Sequence, residues 1–298
     1  MNPGISQWIQ EIILMSNKIF NIMLKKKYGQ NFLIDQNIIK KTVDALEIKS
    51  EDVILEIGPG LGVLTRHFFV AKKIILIEID RDLVNVLKNE FAQNQNTKII
   101  NSNIKIINSD VLKIDFNKLL AHEKNIKIVS NLPYYISTPV IIKCLQINKN
   151  IDLKFMIFMT QKEVADRILS EPNKKTYGSL SVFAQYNADI KFIEKNIPPD
   201  CFMPKPKVNS SLIKLTPKQN FYKIKDLEDD FLFSVIKKSF SKRRKTLVNC
   251  LENFRGLNKN QIADILLKDN LNPKIRAEAL SINNFINLAL NVKQIINW

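Results

Sequence analysis

The stretch Val53-Ile54-Leu55-Glu56-Ile57-Gly58-Pro59-Gly60-Leu61-Gly62 decides the fold. A short apolar segment leads straight into a glycine turn, and helix-like sequence follows. Such a turn lets the backbone approach a ligand closely while the next helix presents its N-terminus. The pattern then repeats without the glycines. An apolar run at residues 74–77 ends in Glu78, twenty positions after Gly58, where an acid suits a ribose diol. Runs at residues 104–107 and 126–129 lead to Asp110 and Asn131, and another begins near Phe155. Helical stretches separate them, which predicts right-handed βαβ units and a mostly parallel sheet. Two further strands, near residues 190–193 and 211–215, bring the sheet to seven. The expected fold is a doubly wound, Rossmann-like α/β domain with polar residues at successive strand ends.

Those strand ends narrow the ligand. The glycine spacing is G-x-G-x-G, Pro59 removes an N–H that a phosphate cradle would use, and no Gly-Lys-Ser/Thr follows. An adenosyl compound without phosphate, S-adenosylmethionine, fits better, with Glu78 at the ribose and Asp110 accepting from the adenine amine. Asn131-Leu132-Pro133-Tyr134 reads as a second binding element. Asn131 offers a side-chain acceptor, and Tyr134 can stack on a base. Pro133 biases Leu132 towards an extended conformation, so neighbouring carbonyls can face outward. Together these groups suit an aromatic amine such as that of adenine.

Composition sets the outer bounds. At 298 residues the chain has room for one large domain and a smaller one. No apolar run approaches the roughly 20 residues needed to span a bilayer, so no membrane association is expected. Lys and Arg number 45 against 29 Asp and Glu, a net charge of +16 that favours a polyanionic partner. A lysine-rich solvated surface is the other reading of that charge. Cys144, Cys201 and Cys250 show no paired spacing and read as reduced thiols of a cytoplasmic protein. His67 and His122 are the only histidines, which leaves little material for a metal cluster or a serine hydrolase triad.

Residues 1–24 place Trp8, Ile9, Ile12 and Ile13 at roughly helical spacing, yet lack the basic start of a secretory signal. They are set apart as an extension with no assigned function. Residues 25–217 form the expected catalytic domain, with a first helix capped by Asp35. Near its end, Pro198-Pro199-Asp200-Cys201-Phe202-Met203-Pro204-Lys205-Pro206-Lys207 is a proline-stiffened loop. One reading turns Phe202 outward onto the far face of a flipped base, beside Lys205 and Lys207; the other tucks it inward. Residues 218–298 read as helices only, an RNA-binding domain. The run at 237–245 holds six basic residues in nine positions, including Lys242, Arg243, Arg244 and Lys245, and suits phosphates.

On these motifs the chain resembles the small-subunit ribosomal RNA adenine dimethyltransferase family. The resemblance spans about residues 26–296. It rests on Gly29-Gln30-Asn31-Phe32-Leu33, Glu56-Ile57-Gly58-Pro59-Gly60, Asn131-Leu132-Pro133-Tyr134 and Gln161-Lys162-Glu163-Val164. It continues through Tyr177-Gly178-Ser179-Leu180-Ser181-Val182, Phe202 to Val208, Phe240 to Thr246, and Asn272 to Glu278. Ser130 and Val248 depart from it, where Gly and Arg are usual. The family implies transfer of two methyl groups to the N6 amine of each of two adjacent adenosines near the 3′ end of small-subunit RNA. The donor is S-adenosylmethionine, the substrate lies in an immature subunit, and the enzyme is a cytoplasmic monomer.

By matching positions, Asn31, Leu33, Gly58, Glu78, Asp110 and Asn131 would line the cofactor site. Asn131, Leu132 and Tyr134, helped by Phe202, would handle the base. Three other readings stand beside this one. An erythromycin-resistance-type enzyme would modify the large subunit, but Gly29 and the Arg276-Ala277-Glu278 ending weigh against it. A ribosome-assembly factor with secondary catalysis is disfavoured by the intact motifs, and a small-molecule methyltransferase by the basic helical tail.

Overall fold

The computed structural model describes residues 30–92, 103–147, 150–218 and 227–296, so the extension at 1–24 lies outside it. Among the described residues, nine strands occur in chain order: β1 Phe32–Leu33, β2 Val53–Ile57, β3 Lys73–Glu78, β4 Ile104–Asn108, β5 Ile126–Asn131, β6 Leu153–Gln161, β7 Ala188–Ile197, β8 Phe202–Met203 and β9 Ser210–Pro217. Seven form one sheet in the order β4-β3-β2-β5-β6-β9-β7. The first five are mutually parallel, and β9 runs antiparallel between β6 and β7. Chain direction across the sheet reverses between β2 and β5, which opens a crevice at the carboxyl ends of those strands.

Alternation along the strands builds two apolar layers. Val53, Leu55, Ile75 and Ile128 face one side; Ile54, Ile74, Leu76 and Val129 face the other. The second side is covered by α1 (Gln36–Leu46) and α2 (Arg81–Ala92). The first is covered by α3 (Phe116–Leu120), α4 (Ser137–Leu145), α5 (Lys162–Ile168) and α6 (Ser179–Asn187). Asp35 caps α1 as expected, its Oδ1 accepting the Ile38 N–H at 3.0 Å. One lysine sits inside β5. Lys127 is tolerated because its ammonium meets Asp52 at 2.6 Å and the Glu47 carbonyl at 2.7 Å.

Three features differ from the sequence reading. The helix expected after the glycine turn is only a 3-10 turn, Thr65–His67. Gly62 holds φ at +74° and β-branched Val63 and Thr65 follow, a poor start for an α-helix. The second difference is a two-stranded sheet pairing β1 with β8, with Leu33 opposite Phe202 and Phe32 opposite Met203.

The third concerns the helical part, built from α7 (Asp229–Ser239), α8 (Leu247–Leu251), α9 (Lys259–Lys268) and α10 (Ile282–Ile296). Its core takes Tyr177, Val182 and Tyr186 from the catalytic part, while Leu180 and Ala184 belong to the sheet core. Tyr177 donates to the Leu280 carbonyl at 2.9 Å, and Tyr186 donates to Asp229 at 2.9 Å. Helix α6 is therefore packed into both cores.

Candidate active site

The strand ends surround a crevice of about 360 Å³. It brings together Asn31, Leu33, Gly58, Glu78 and Asp110 from the expected cofactor residues. Asn131, Leu132 and Tyr134, expected to handle a base, line it too. Among the described residues, no lysine, arginine or histidine lines the crevice.

The turn after β2 is shaped by its glycines. The Gly58 N–H bonds the Ile77 carbonyl at 2.9 Å, which ties the turn to β3. Gly60 holds φ at +59°, a backbone that strains any side chain, and a Cβ there would stand 3.1 Å from the Phe32 ring and crowd it. Its N–H donates to Glu78 Oε2 at 3.2 Å, while Glu78 Oε1 accepts the Asp80 N–H at 3.0 Å. Burial nevertheless pushes the Glu78 carboxyl above its ordinary range. Glu56, to which the sequence reading gave no role, is 2% exposed and lies on the same floor. Burial, with the neighbouring Glu78 charge, pushes it up to about 8, against the Thr65 hydroxyl that donates to it at 2.5 Å. Its sequence signal was an acid inside an otherwise apolar strand. Asp110 is placed by capping a short turn, its Oδ1 accepting the Leu112 N–H at 2.9 Å.

The opposite wall comes from the end of β5. Asn131 Nδ2 donates to the Asn31 carbonyl at 2.8 Å, which leaves Oδ1 as the acceptor branch of the amide. Leu132 is buried and donates its N–H to the Met159 carbonyl at 3.1 Å. The Tyr134 hydroxyl pairs with Ser210 Oγ at 2.6 Å, and burial pushes the phenol up. Ser130, one of the two departures from the family pattern, lies within β5 and donates to the Ile57 carbonyl beside Gly58. The strand pairs on through Asn131 undisturbed. Val248, the other departure, packs against the helical core.

Phe202 requires a correction. Its ring is 1% exposed within the core that also holds Leu33, Ile197 and Leu212, and it does not line the crevice. Pairing of β8 with β1 turns it inward, so the loop supports Asn31-Phe32-Leu33 through its backbone; the Ile34 N–H also bonds the Cys201 carbonyl at 2.9 Å. Lys205 and Lys207 are exposed outside the crevice, Lys205 paired with Asp200. Lys242, Arg243, Arg244 and Lys245 stand exposed on the turn after α7, with Arg243 donating to the Lys175 carbonyl. Tyr135, also at the crevice, was not singled out in the sequence.

The chain is similar to known proteins over most of its length. The chain is 41% identical over 277 residues to ribosomal RNA small subunit methyltransferase A of Lachnoclostridium phytofermentans, covering 91% of this chain and 92% of that protein. A dimethyladenosine transferase crystal structure from Plasmodium falciparum superposes with a TM-score of 0.74 at 26% identity, covering 88% of this chain and 98% of that one. The 23S rRNA methyltransferase ErmE shares the fold, with a TM-score of 0.63 at 21% identity over 89% of this chain and all of that one. The family model described as Ribosomal RNA adenine dimethylase matches residues 21–293, and the chain belongs to that family.

Proposed function

We propose that the crevice binds S-adenosylmethionine and that the chain dimethylates N6 of two adjacent adenosines in small-subunit ribosomal RNA. It would act in the cytoplasm, as a monomer, on an immature subunit. The observation that carries this reading is electrostatic. A chain of net charge +16 builds a crevice with Glu78 on its floor, Asp110 on its wall and no cationic side chain lining it among the described residues. Those acceptors disfavour a phosphate and suit a cationic adenosyl compound, with the protonated Glu56 adding no charge of its own. The glycine turn leaves open space at Gly58 for close backbone approach. When bound, S-adenosylmethionine supplies a methyl group on a positively charged sulfur as electrophile.

The residues of the chain do the rest by position. Glu78 and Asp110 would accept from the ribose and adenine of the cofactor, and Asn31 and Leu33 would close its near side. Asn131 Oδ1 and the Leu132 carbonyl would accept the two hydrogens of the target amine. That draws its lone pair out of conjugation with the ring and orients it. Positive charge developing on N6 would meet these acceptors and the face of Tyr134, whose hydroxyl is held by Ser210. No strong base is needed, because the methylated amine cation is acidic and loses its proton to water. The exposed run Lys242 to Lys245, with Lys207, would hold RNA phosphates.

Label from methyl-labelled S-adenosylmethionine should appear as dimethyladenosine in immature small subunits and not in large subunits. Label in large subunits only would instead favour the resistance-type reading. Tight binding to small subunits without label would favour an assembly factor.

A further inference from the structure

Tyr135 has no part in the chemistry above, yet its placement is unusual. It lines the crevice while 60% exposed. Among the described residues, two other apolar side chains share that combination: Ile79, which follows Glu78 at the end of β3, and Leu112, two positions after Asp110 in the turn beyond β4. They belong to the half of the crevice assigned to the adenosyl compound. Tyr135 follows β5 and belongs to the Asn131 half, where the target adenine is placed.

The turn that carries it is fixed. The Ile136 N–H bonds the Pro133 carbonyl at 3.1 Å, and the Ser137 hydroxyl donates to the Tyr134 carbonyl at 3.1 Å. Successive tyrosines therefore have different environments. Tyr134 is half-buried and hydrogen-bonded to Ser210, whereas Tyr135 is 60% exposed at the mouth.

The proposed substrate supplies a use for such a ring. Two target adenosines are neighbours on one strand, so extruding one into the crevice takes a stacking partner from the other. The neighbour's purine then arrives at the mouth with one face bare. We propose that Tyr135 is a specificity-determining residue that stacks on the base of this adjacent adenosine while its neighbour occupies the crevice. The ligand class is a purine of single-stranded RNA, recognised by its π-face, with adenine favoured over a pyrimidine through its larger ring. This rests on the function proposed above, since it needs an adenosine in the crevice.

The test uses Tyr135→Ala and Tyr135→Phe with two substrates: native immature small subunits, and subunits in which the adenosine next to the scored target is replaced by uridine. On native subunits Tyr135→Ala should lose roughly 5- to 100-fold in kcat/KM, mainly through KM, and Tyr135→Phe should restore it to within about threefold. On the uridine subunits wild type and Tyr135→Ala should converge, because the partner of the ring is gone. Affinity for S-adenosylmethionine should not change in either variant. Tyr135→Ala with native kcat/KM, or an equal loss on both substrates, overturns the proposal. A wild-type protein that fails to label native subunits overturns the proposed function instead.

Discussion

Asn131→Ala removes two things at once: the Oδ1 acceptor assigned to the target amine, and the 2.8 Å bond from Nδ2 to the Asn31 carbonyl. The two losses have different sizes. A preorganised acceptor that acts mainly in the transition state is worth about 10²- to 10³-fold in rate. The Asn31 bond is an ordinary neutral hydrogen bond of about 1 kcal/mol, so losing it weakens cofactor binding by less than about tenfold. The expected result is a fall in single-turnover rate near 10²-fold or more, with cofactor affinity nearly retained. Asn131→Asp sharpens the test. It keeps an acceptor of similar shape but turns a carboxylate oxygen towards the Asn31 carbonyl, so the side chain loses its anchor and should also lose most of the rate. The assay is methyl transfer from labelled cofactor to small subunits at saturating cofactor, with affinity measured separately by calorimetry. A rate within about threefold of wild type refutes the acceptor role, and an equal loss in rate and affinity shows that Asn131 only positions the cofactor.

The other predictions concern charge and packing. Replacing Lys242, Arg243 and Arg244 with alanine should lower RNA affinity and flatten its dependence on salt by roughly one unit of slope per lost phosphate contact; an unchanged slope places that run away from RNA. Glu56 sits at about 8 in the folded protein against 4.5 ordinarily, so the folded state holds a proton that the unfolded chain releases. The stability this provides is complete below about pH 4.5 and is lost as the pH rises towards about 8. Glu56→Gln, fixed neutral, should therefore gain thermal stability relative to wild type as pH rises across that window, and parallel melting curves would contradict the assignment. Lys127→Met leaves Asp52 buried without its partner and should cost about 3–5 kcal/mol in urea unfolding, most of it recovered by adding Asp52→Asn.

The sheet was legible because each of its strands carries a long enough apolar run to show its period. The acids and amide at the strand ends were legible for the same reason, since a run's end fixes where its last polar residue points. What escaped the sequence depends on partners far along the chain. A two-residue strand such as Phe32–Leu33 has no period to read, and its pairing with Phe202–Met203 is visible only once the fold brings them together. That pairing is also what turns Phe202 inward. Lys127 reads as an exception in an apolar strand until Asp52 and Glu47 stand beside it. Tyr135 was hidden by Tyr134, because sequence alone does not tell which of two adjacent aromatic residues is half-buried and which lies exposed at the mouth.

Helix α6, packed into both cores, has a consequence for how a target is chosen. Tyr177 and Tyr186 fasten its surroundings to the helical part, while Leu180 and Ala184 fix it in the sheet core. Crevice and basic turn are thereby held like the two jaws of a calliper locked at one setting. On the function proposed above, an RNA whose adenosines lie at another distance from its phosphates would satisfy one jaw or the other, and would gain the contribution of only one. Selection by length would then precede any reading of bases, and would reject a strand of correct sequence folded to the wrong span.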